Sequence, residues 1–298
     1  MQGTLTFLGT GTSMGVPSLA CDCAVCTSSD LHDKRLRPSI LLRWPCPESD
    51  SAAEPAPATS RAKKGYLPFP PIQYPDKKVP CERVVVIDTG PDFREQVLRS
   101  GIRRVDAVFY THSHADHILG MDDLRPLSFA TFRQSGPIPL YVSGETRGVL
   151  ERIFSYTFLP DSPYPNRAKV ALHDIADGAR IKVQEVEFTP VPVLHGQLPI
   201  TGYRFGNAAY ITDVSIIPES SFALLEGVDV LVVSALRHTP HPSHATVSQA
   251  VRWARRIGAS QTWLTHISHD LGHAETNTGL PKGIALAHDG LTVPVTLG

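Results

Sequence analysis

The segment Tyr110-Thr111-His112-Ser113-His114-Ala115-Asp116-His117 places four potential metal ligands within six residues, directly after the largely apolar run Val105–Tyr110. A strand ending in such a loop exposes its side chains at the edge of a sheet, where the ligand sites of α/β folds form. His112 and His114 alternate toward one ion, while Asp116 and His117, beyond the turn, face another. Imidazole and carboxylate at this density suit two adjacent divalent metals. A lone histidine is most often a satisfied structural residue; three beside a carboxylate in so short a span call for a ligand.

The rest of the chain supplies sheets to carry that loop. Strands are expected at Thr4–Leu8, Ile40–Trp44, Arg83–Asp88, Ala107–Thr111, Ile138–Val142, Lys169–His173, Lys182–Phe188, Tyr203–Phe205, Ala208–Thr212, Asp229–Ser234 and Gln261–Thr265. Between them lie amphipathic stretches near Glu145–Phe154 and Val247–Ile257. The second puts Val247, Ala250, Val251, Ala254 and Ile257 on one face, opens with Thr246 and Gln249 in capping-box spacing, and stops at Gly258. Two packed sheets with helices outside follow from this alternation. The stretch from Pro45 to Pro80 breaks it, with nine prolines in 36 residues. It cannot supply ladder donors and is read as an insertion at about residues 45–82, looping out between two strands; Tyr66, Phe69 and Tyr74 suggest that its second half packs on something.

Composition narrows the function classes. Apolar residues make up 42% and charged residues 19% of 298 residues, enough for a core, and the net charge of −1 provides no global field for nucleic acid or an anionic membrane. The apolar stretch Phe222–Leu236 is interrupted by Glu226 and Asp229, so no spanning helix is expected. Nothing at the start resembles a signal peptide, and a cytoplasmic protein is expected. Three of the five cysteines crowd into Cys21-Asp22-Cys23-Ala24-Val25-Cys26, which in a reducing compartment points to metal rather than disulfides. Cys46 and Cys81 receive no role.

His112-Ser113-His114-Ala115-Asp116-His117 resembles the H-x-H-x-D-H signature of the metallo-β-lactamase superfamily. The run Val84–Ile87 followed by Asp88-Thr89-Gly90 is similar to that superfamily's strand and Asp-x-Gly turn, and His195, Asp213 and His266 each follow a β-like run in the expected order. The resemblance spans almost the whole chain except the insertion. It implies a four-layer αββα sandwich with His112, His114 and His195 on one divalent metal, Asp116, His117 and His266 on the second, and Asp213 bridging them. It also implies that Asp88 orients the histidine loop through hydrogen bonds. The ions would be Mn²⁺ or Zn²⁺. A carboxylate at Asp213, where the β-lactamases themselves have cysteine, points to phosphoesterases and thioester hydrolases.

A narrower resemblance joins Leu8-Gly9-Thr10-Gly11-Thr12-Ser13-Met14-Gly15-Val16-Pro17, the C-x-C-x-x-C that follows it, and Thr265-His266-Ile267-Ser268-His269. Together they look like the phosphoribosyl cyclic phosphate phosphodiesterases of the carbon–phosphorus lyase pathway. That likeness implies a structural zinc on Cys21, Cys23, Cys26 and His269, pinning the N-terminal loop to the loop of His266. It makes His244 and Asp116 the catalytic residues, His244 as general acid. His238, His241 and His244 recur every third residue, but Pro240 and Pro242 forbid a helix there, so the trio lies on an extended loop. His32, His173, His238, His273 and His288 are read as structural or surface residues, His241 as a lesser candidate beside His244, and Arg125 as paired with Asp122 or Asp123.

The expected reaction is hydrolysis of small cyclic or linear phosphodiesters by a hydroxide held between the ions. The expected partner is a small phosphorylated substrate, without membrane or nucleic acid, and a homodimer is allowed. Other hydrolases of the same fold stand as alternatives: an RNA 3′-processing nuclease, a thioesterase or a lactonase. A non-catalytic protein of the pyrroloquinoline-quinone-biosynthesis type is the alternative from a different class.

Overall fold

The computed structural model describes residues 1–47, 81–176 and 178–298. The body of the expected insertion, with Tyr66, Phe69 and Tyr74, lies outside the described residues. The first sheet contains β1 (Gln2–Gly9), β2 (Ser39–Pro45), β3 (Glu82–Ile87), β4 (Ala107–Phe109), β5 (Ile138–Val142) and β6 (Val170–Asp174). The second contains β7 (Ile181–Val183), β8 (Val186–His195), β9 (Leu198–Phe205), β10 (Ala208–Ile211), β11 (Val230–Ser234), β12 (Gln261–Thr265) and β13 (Ile284–Leu286), while the last strand, β14 (Thr292–Thr296), returns to the edge of the first beside β1. In each sheet one half is antiparallel and the other parallel: β3 to β6 run parallel, as do β10 to β13. The carboxyl ends of these parallel strands carry the loops of most site residues, and the antiparallel strand β8 ends at His195.

Apolar side chains explain the layering. The facing surfaces of the sheets share one core, in which Phe109 of the first sheet stacks on Phe188 of the second at 4.4 Å between ring centroids and meets Tyr203 edge-on at 5.1 Å. The outer faces bury separate clusters, one around Val86, Val108 and Phe93, the other around Val233, Leu264 and Ala250. Helices α1 (Phe93–Ser100), α2 (Ala115–Ile118), α3 (Leu124–Ser135), α4 (Gly144–Ile153) and α5 (Ser155–Phe158) belong to the first sheet's side, and α6 (Glu219–Leu224), α7 (Val247–Ile257) and α8 (His273–Gly279) to the second's. This is the four-layer αββα sandwich. Helix α7 has the expected bounds, with Thr246 and Gln249 forming both capping-box bonds and Gly258 ending it at φ 80°.

The differences from expectation have local causes. Lys182–Phe188 is two strands, β7 and β8, turning through Gln184 at φ 54° without the glycine or asparagine that marks such a turn. Strand β8 continues to His195, and its Pro190 and Pro192 fall beyond Phe188, where β7 no longer pairs with it and no ladder donor is missed. Strands β13 and β14 are short, and Pro294 masks the second, which lies on an edge. Cys46 and Cys81 follow the last β2–β3 pair, Pro45 and Glu82, and are joined by a disulfide with a Cα–Cα separation of 5.3 Å. The bridge closes the base of the insertion, so these two cysteines have a structural use distinct from the clustered three.

His32, His273 and His288 meet, with ring centroids 4.7 Å apart (His32 to His273) and 4.2 Å (His32 to His288). Asp30, Asp33, Arg35 and Asp289 surround them. Burial, then the charges of His32 and Arg35, lower His273 to about 4. The folded chain therefore binds fewer protons than the unfolded chain, whose histidines titrate near 6.5, across the window between those values. Its stability contribution is present near neutrality and lost as pH falls through that window. His273→Gln should show a smaller loss of urea midpoint between pH 7 and about 4.5 than the parent, by paired denaturation curves; identical losses would assign the acid sensitivity elsewhere.

Candidate active site

The site is assembled from strand ends of both sheets. β3 leads into Asp88-Thr89-Gly90, β4 into the His112–His117 loop, β8 ends at His195, β10 leads to Asp213 and β12 to His266. Asp88, Asp213 and His266 adopt left-handed backbone at φ 66°, 54° and 54°. Non-glycine residues rarely occupy that region, and such conformations gather at functional sites. Gly90 is required by a close approach: a Cβ there would stand 2.1 Å from the carbonyl oxygen of Asp116.

Hydrogen bonds fix how the imidazoles point. Asp88 is fully buried and accepts from the Thr111 amide at 2.8 Å and the Thr111 hydroxyl at 2.9 Å. The same carboxylate accepts from His117 Nδ1 at 2.7 Å. Because the Thr111 hydroxyl gives its hydrogen to Asp88, it accepts from His112 Nδ1 at 3.0 Å. His195 Nδ1 donates to the Ser243 carbonyl at 2.7 Å. In all three rings the occupied nitrogen is Nδ1, which leaves Nε2 as the atom for a metal.

The Nε2 atoms of His112, His117 and His266 converge on carboxylates. His117 Nε2 lies 3.2 Å from Asp116 Oδ2 and 3.5 Å from Asp213 Oδ1; His266 Nε2 lies 3.2 Å from Asp213 Oδ1 and 3.5 Å from Asp116 Oδ2. His112 Nε2 is 3.8 Å from the other oxygen of Asp213. The buried Nε2 atoms of His112, His117 and His266 and the Oδ2 of Asp116 have no hydrogen-bond partner. Two ligand atoms each about 2.1 Å from one cation stand roughly 3–3.6 Å apart, the range most of these pairs occupy. The two groups that could each hold an ion are His112, His114, His195 and Asp213, and Asp116, His117, Asp213 and His266, with Asp213 common to both. His114 alone is exposed, so the cluster opens to solvent on its side.

The electrostatics answer to the same charges. Burial opposes protonation of His117, but Asp116, Asp213 and Asp88 outweigh it and raise its pKa well above the usual value. A proton there occupies the position of a cation. Burial, then His117, pushes His112 well down. Burial also resists ionisation of Asp213 and Asp116, yet His266 and His117 beside the first, and His117 beside the second, hold both carboxyls below the ordinary carboxylate range. His244 faces His195 and His266 with ring centroids at 4.5 Å and 4.8 Å, and burial, then His266, lowers it to about 3.

A second cluster lies behind the first. His269 Nδ1 is 3.1, 3.4 and 3.5 Å from the sulfurs of Cys21, Cys23 and Cys26. One ring nitrogen cannot serve three thiols by hydrogen bonding, whereas nitrogen and sulfur around a tetrahedral zinc stand about 3.5 Å apart. The loop carrying His266 and His269 is tied to the N-terminal region independently. Ile267 donates to the Thr10 carbonyl at 2.9 Å, and buried Arg35 donates to the carbonyls of Ser268 and Leu271 at 2.9 and 2.7 Å.

The structure brings together His112, His114, His195 and Asp213; Asp116, His117, Asp213 and His266; and Cys21, Cys23, Cys26 and His269, with His244 beside the first two groups. Arg125 pairs with Asp122 at 3.6 Å and donates to the Tyr164 hydroxyl, and His238 is exposed. Two contributors escaped the sequence reading. Thr111 is hidden among its loop's stronger signals, and Ser243 acts through its carbonyl, which any residue possesses.

The sequence matches a known family: the β-lactamase superfamily domain aligns with residues 83–267. The chain belongs to the metallo-β-lactamase superfamily, and its clusters make it a divalent-metal-binding member. Within the superfamily it resembles the PhnP family. A crystallised diphosphatase of that family is 46% identical, with the alignment covering 100% of this chain and 98% of that one at a TM-score of 0.81. An octanoyltransferase of Porphyromonas gingivalis is 32% identical over 95% of this chain, which spans only 50% of that relative's length. Ribonuclease Z of Anoxybacillus flavithermus is 27% identical over 61% of this chain and 76% of its own. Among the described residues no helix is long and apolar enough to cross a membrane.

Replacing Cys23 by serine should remove one tightly held zinc per chain without emptying the His/Asp cluster, and lower the thermal midpoint by a few degrees. Closed thiolate sites contribute folding free energy, here added to a large core that stands without it. Elemental analysis with a melting curve checks this; an unchanged zinc count would exclude the cysteine site.

Proposed function

We propose that the chain is a dinuclear metal-dependent phosphodiesterase acting on small cyclic or linear phosphodiesters. The observation that carries the reading is the pair of four-residue ligand groups sharing Asp213, with the His244 ring against both. His112, His114 and His195 would hold one ion and Asp116, His117 and His266 the other, with Mn²⁺ and Zn²⁺ both suited to histidine and carboxylate. Cys21, Cys23, Cys26 and His269 would hold a structural zinc. Divalent ions at such a site supply charge neutralisation for a phosphoryl group and acidify water at neutral pH.

The chain's own residues do the rest. Asp88, through Thr111 and His117, keeps the histidine loop in one orientation, so no reorganisation accompanies substrate entry. Asp116 is buried and ionised within the ligand groups, while exposed His114 marks the side left open. His244 is the group placed to give a proton to the departing oxygen. It is neutral in the free protein, so the negative charge of a bound phosphodiester is what raises its pKa enough for it to serve as an acid. Likeness to a diphosphatase supports phosphoryl chemistry, and likeness to ribonuclease Z extends it to RNA ends as the second reading, with the same site and a larger substrate. The octanoyltransferase relative brings acyl esters into the same screen.

The test is a metal-replete screen of cyclic and linear phosphodiesters, a tRNA precursor and thioesters, with metals counted per chain. Turnover of thioesters alone would sink the proposal. Asp213→Asn, which retains shape and tolerates the left-handed backbone, should stay folded and fall below about a thousandth of parental activity, because charge stabilisation worth several kcal/mol is lost.

His244→Ala should keep its metals and lose roughly 10²–10⁴ in rate on poor leaving groups, the usual scale of general acid–base help. The deficit should shrink for p-nitrophenolate, which needs no proton. An acid must be protonated to act, so parental kcat should fall as pH rises through the His244 pKa of the substrate complex. That alkaline limb should vanish in the variant; its persistence would remove His244 from the acid role.

A further inference from the structure

Outside the ligand groups, the loop between β11 and α7 carries a second imidazole without an assigned task. His241 is half-buried, and its ring centroid lies 5.0 Å from that of His244. His244 faces His195 and His266 in turn, so the rings form a row leading outward from the clusters: His195 and His266, then His244, then His241. The His241 Nδ1 accepts from the Ser243 amide at 3.3 Å. A backbone amide can only donate, so Nδ1 carries no proton and the hydrogen of the neutral ring resides on Nε2. The Ser243 carbonyl holds His195 at 2.7 Å, so one residue orients a ligand-group imidazole and the outer imidazole together. Arg237 donates through Nε and Nη2 to the carbonyls of Thr239 and Pro240 at 3.3 and 3.1 Å, which curls the loop and fixes a positive charge beside the row.

A phosphoryl group held at the clusters and protonated on its leaving side by His244 would extend its leaving group along this row. We propose that His241, with Arg237 beside it, forms an anion subsite for that leaving group. Its Nε2–H donates to an oxygen next to the scissile bond, so that substrates whose leaving group carries its own oxyanion are preferred. A diphosphate linkage is the compact case. The proposal rests on the phosphodiesterase reading and names the substrate class it would favour. His241 acts here as a positioning and specificity residue, and no proton leaves it.

The experiment compares the parent, His241→Ala and His241→Gln, all metal-replete, on diadenosine diphosphate and on bis(p-nitrophenyl) phosphate, whose leaving group lacks an oxyanion beyond the scissile oxygen. For His241→Ala, KM for diadenosine diphosphate should rise about ten- to hundredfold, the loss of one hydrogen bond to a charged group. Its kcat and pH profile should stay parental, with kcat/KM on bis(p-nitrophenyl) phosphate within about twofold and metal content unchanged. His241→Gln, which keeps an N–H donor, should recover most of the loss. Equal losses on both substrates, or a shifted pH limb, would overturn the subsite. A parent protein that cleaves no phosphodiester, cyclic or linear, would remove the phosphodiesterase reading instead, and the subsite is then decided by calorimetry. Methylenediphosphonate should bind the metal-loaded parent at least about tenfold more tightly than His241→Ala, and equal binding would overturn the proposal.

Discussion

Buried at the junction of the two sheets, the Nε2 atoms of His112, His117 and His266 and the Oδ2 of Asp116 point at one another with no hydrogen-bond partner. Polar atoms are rarely left so, because each forfeits its hydration without replacement. Here the surroundings enforce it: Thr111, Asp88 and the Ser243 carbonyl occupy the opposite nitrogens of His112, His117 and His195, so the rings cannot turn away to find other partners. A cation removes the penalty, and the fold is organised to keep the position for it. Strand ends from both sheets deliver the ligand-group residues, and strained backbone at Asp88, Asp213 and His266 aims them.

The cysteine cluster belongs to the same design. His266 and His269 lie three residues apart on one loop, the first in the His/Asp groups and the second among three thiols. Anchoring His269 therefore restrains the backbone that aims His266. Arg35 restrains the same loop, with its guanidinium buried against Asp33 and two carbonyls of that loop. Loss of the thiolate site is accordingly a local loosening of a loop already bound in three other ways, through Thr10, Thr12 and Arg35.

Much of this was legible in the sequence because ligand chemistry needs particular side chains. His112, His114, Asp116 and His117 announce themselves by density, and Thr246, Gln249 and Gly258 bound a helix by known capping chemistry. The illegible parts rely on the main chain or on partners distant in sequence. Ser243 works through its carbonyl, the turn at Gln184 lacks a turn residue, and β14 is an edge strand whose partner, β1, lies at the opposite end of the chain. The pairing of Cys46 with Cys81 was hidden for the same reason. Only the register of β2 against β3 puts them side by side, and their spacing of 35 residues across a proline-rich stretch gives no hint of it.

Charge accounts for how a chain of net charge −1 could attract an anionic substrate. Asp116 and Asp213 are the two carboxylates of the ligand groups, and two divalent ions as proposed would exceed them by two positive charges, one of which a bound hydroxide would cancel. The surrounding imidazoles add none in their metal-binding form. His244 sits just outside that excess, where burial and its neighbours hold it neutral until an anion arrives. The field that would draw in a phosphodiester is thus confined to the ligand groups, and the arrival of the phosphoryl charge would supply the local potential that a proton on His244 requires. Recognition and acid catalysis would then depend on one electrostatic event.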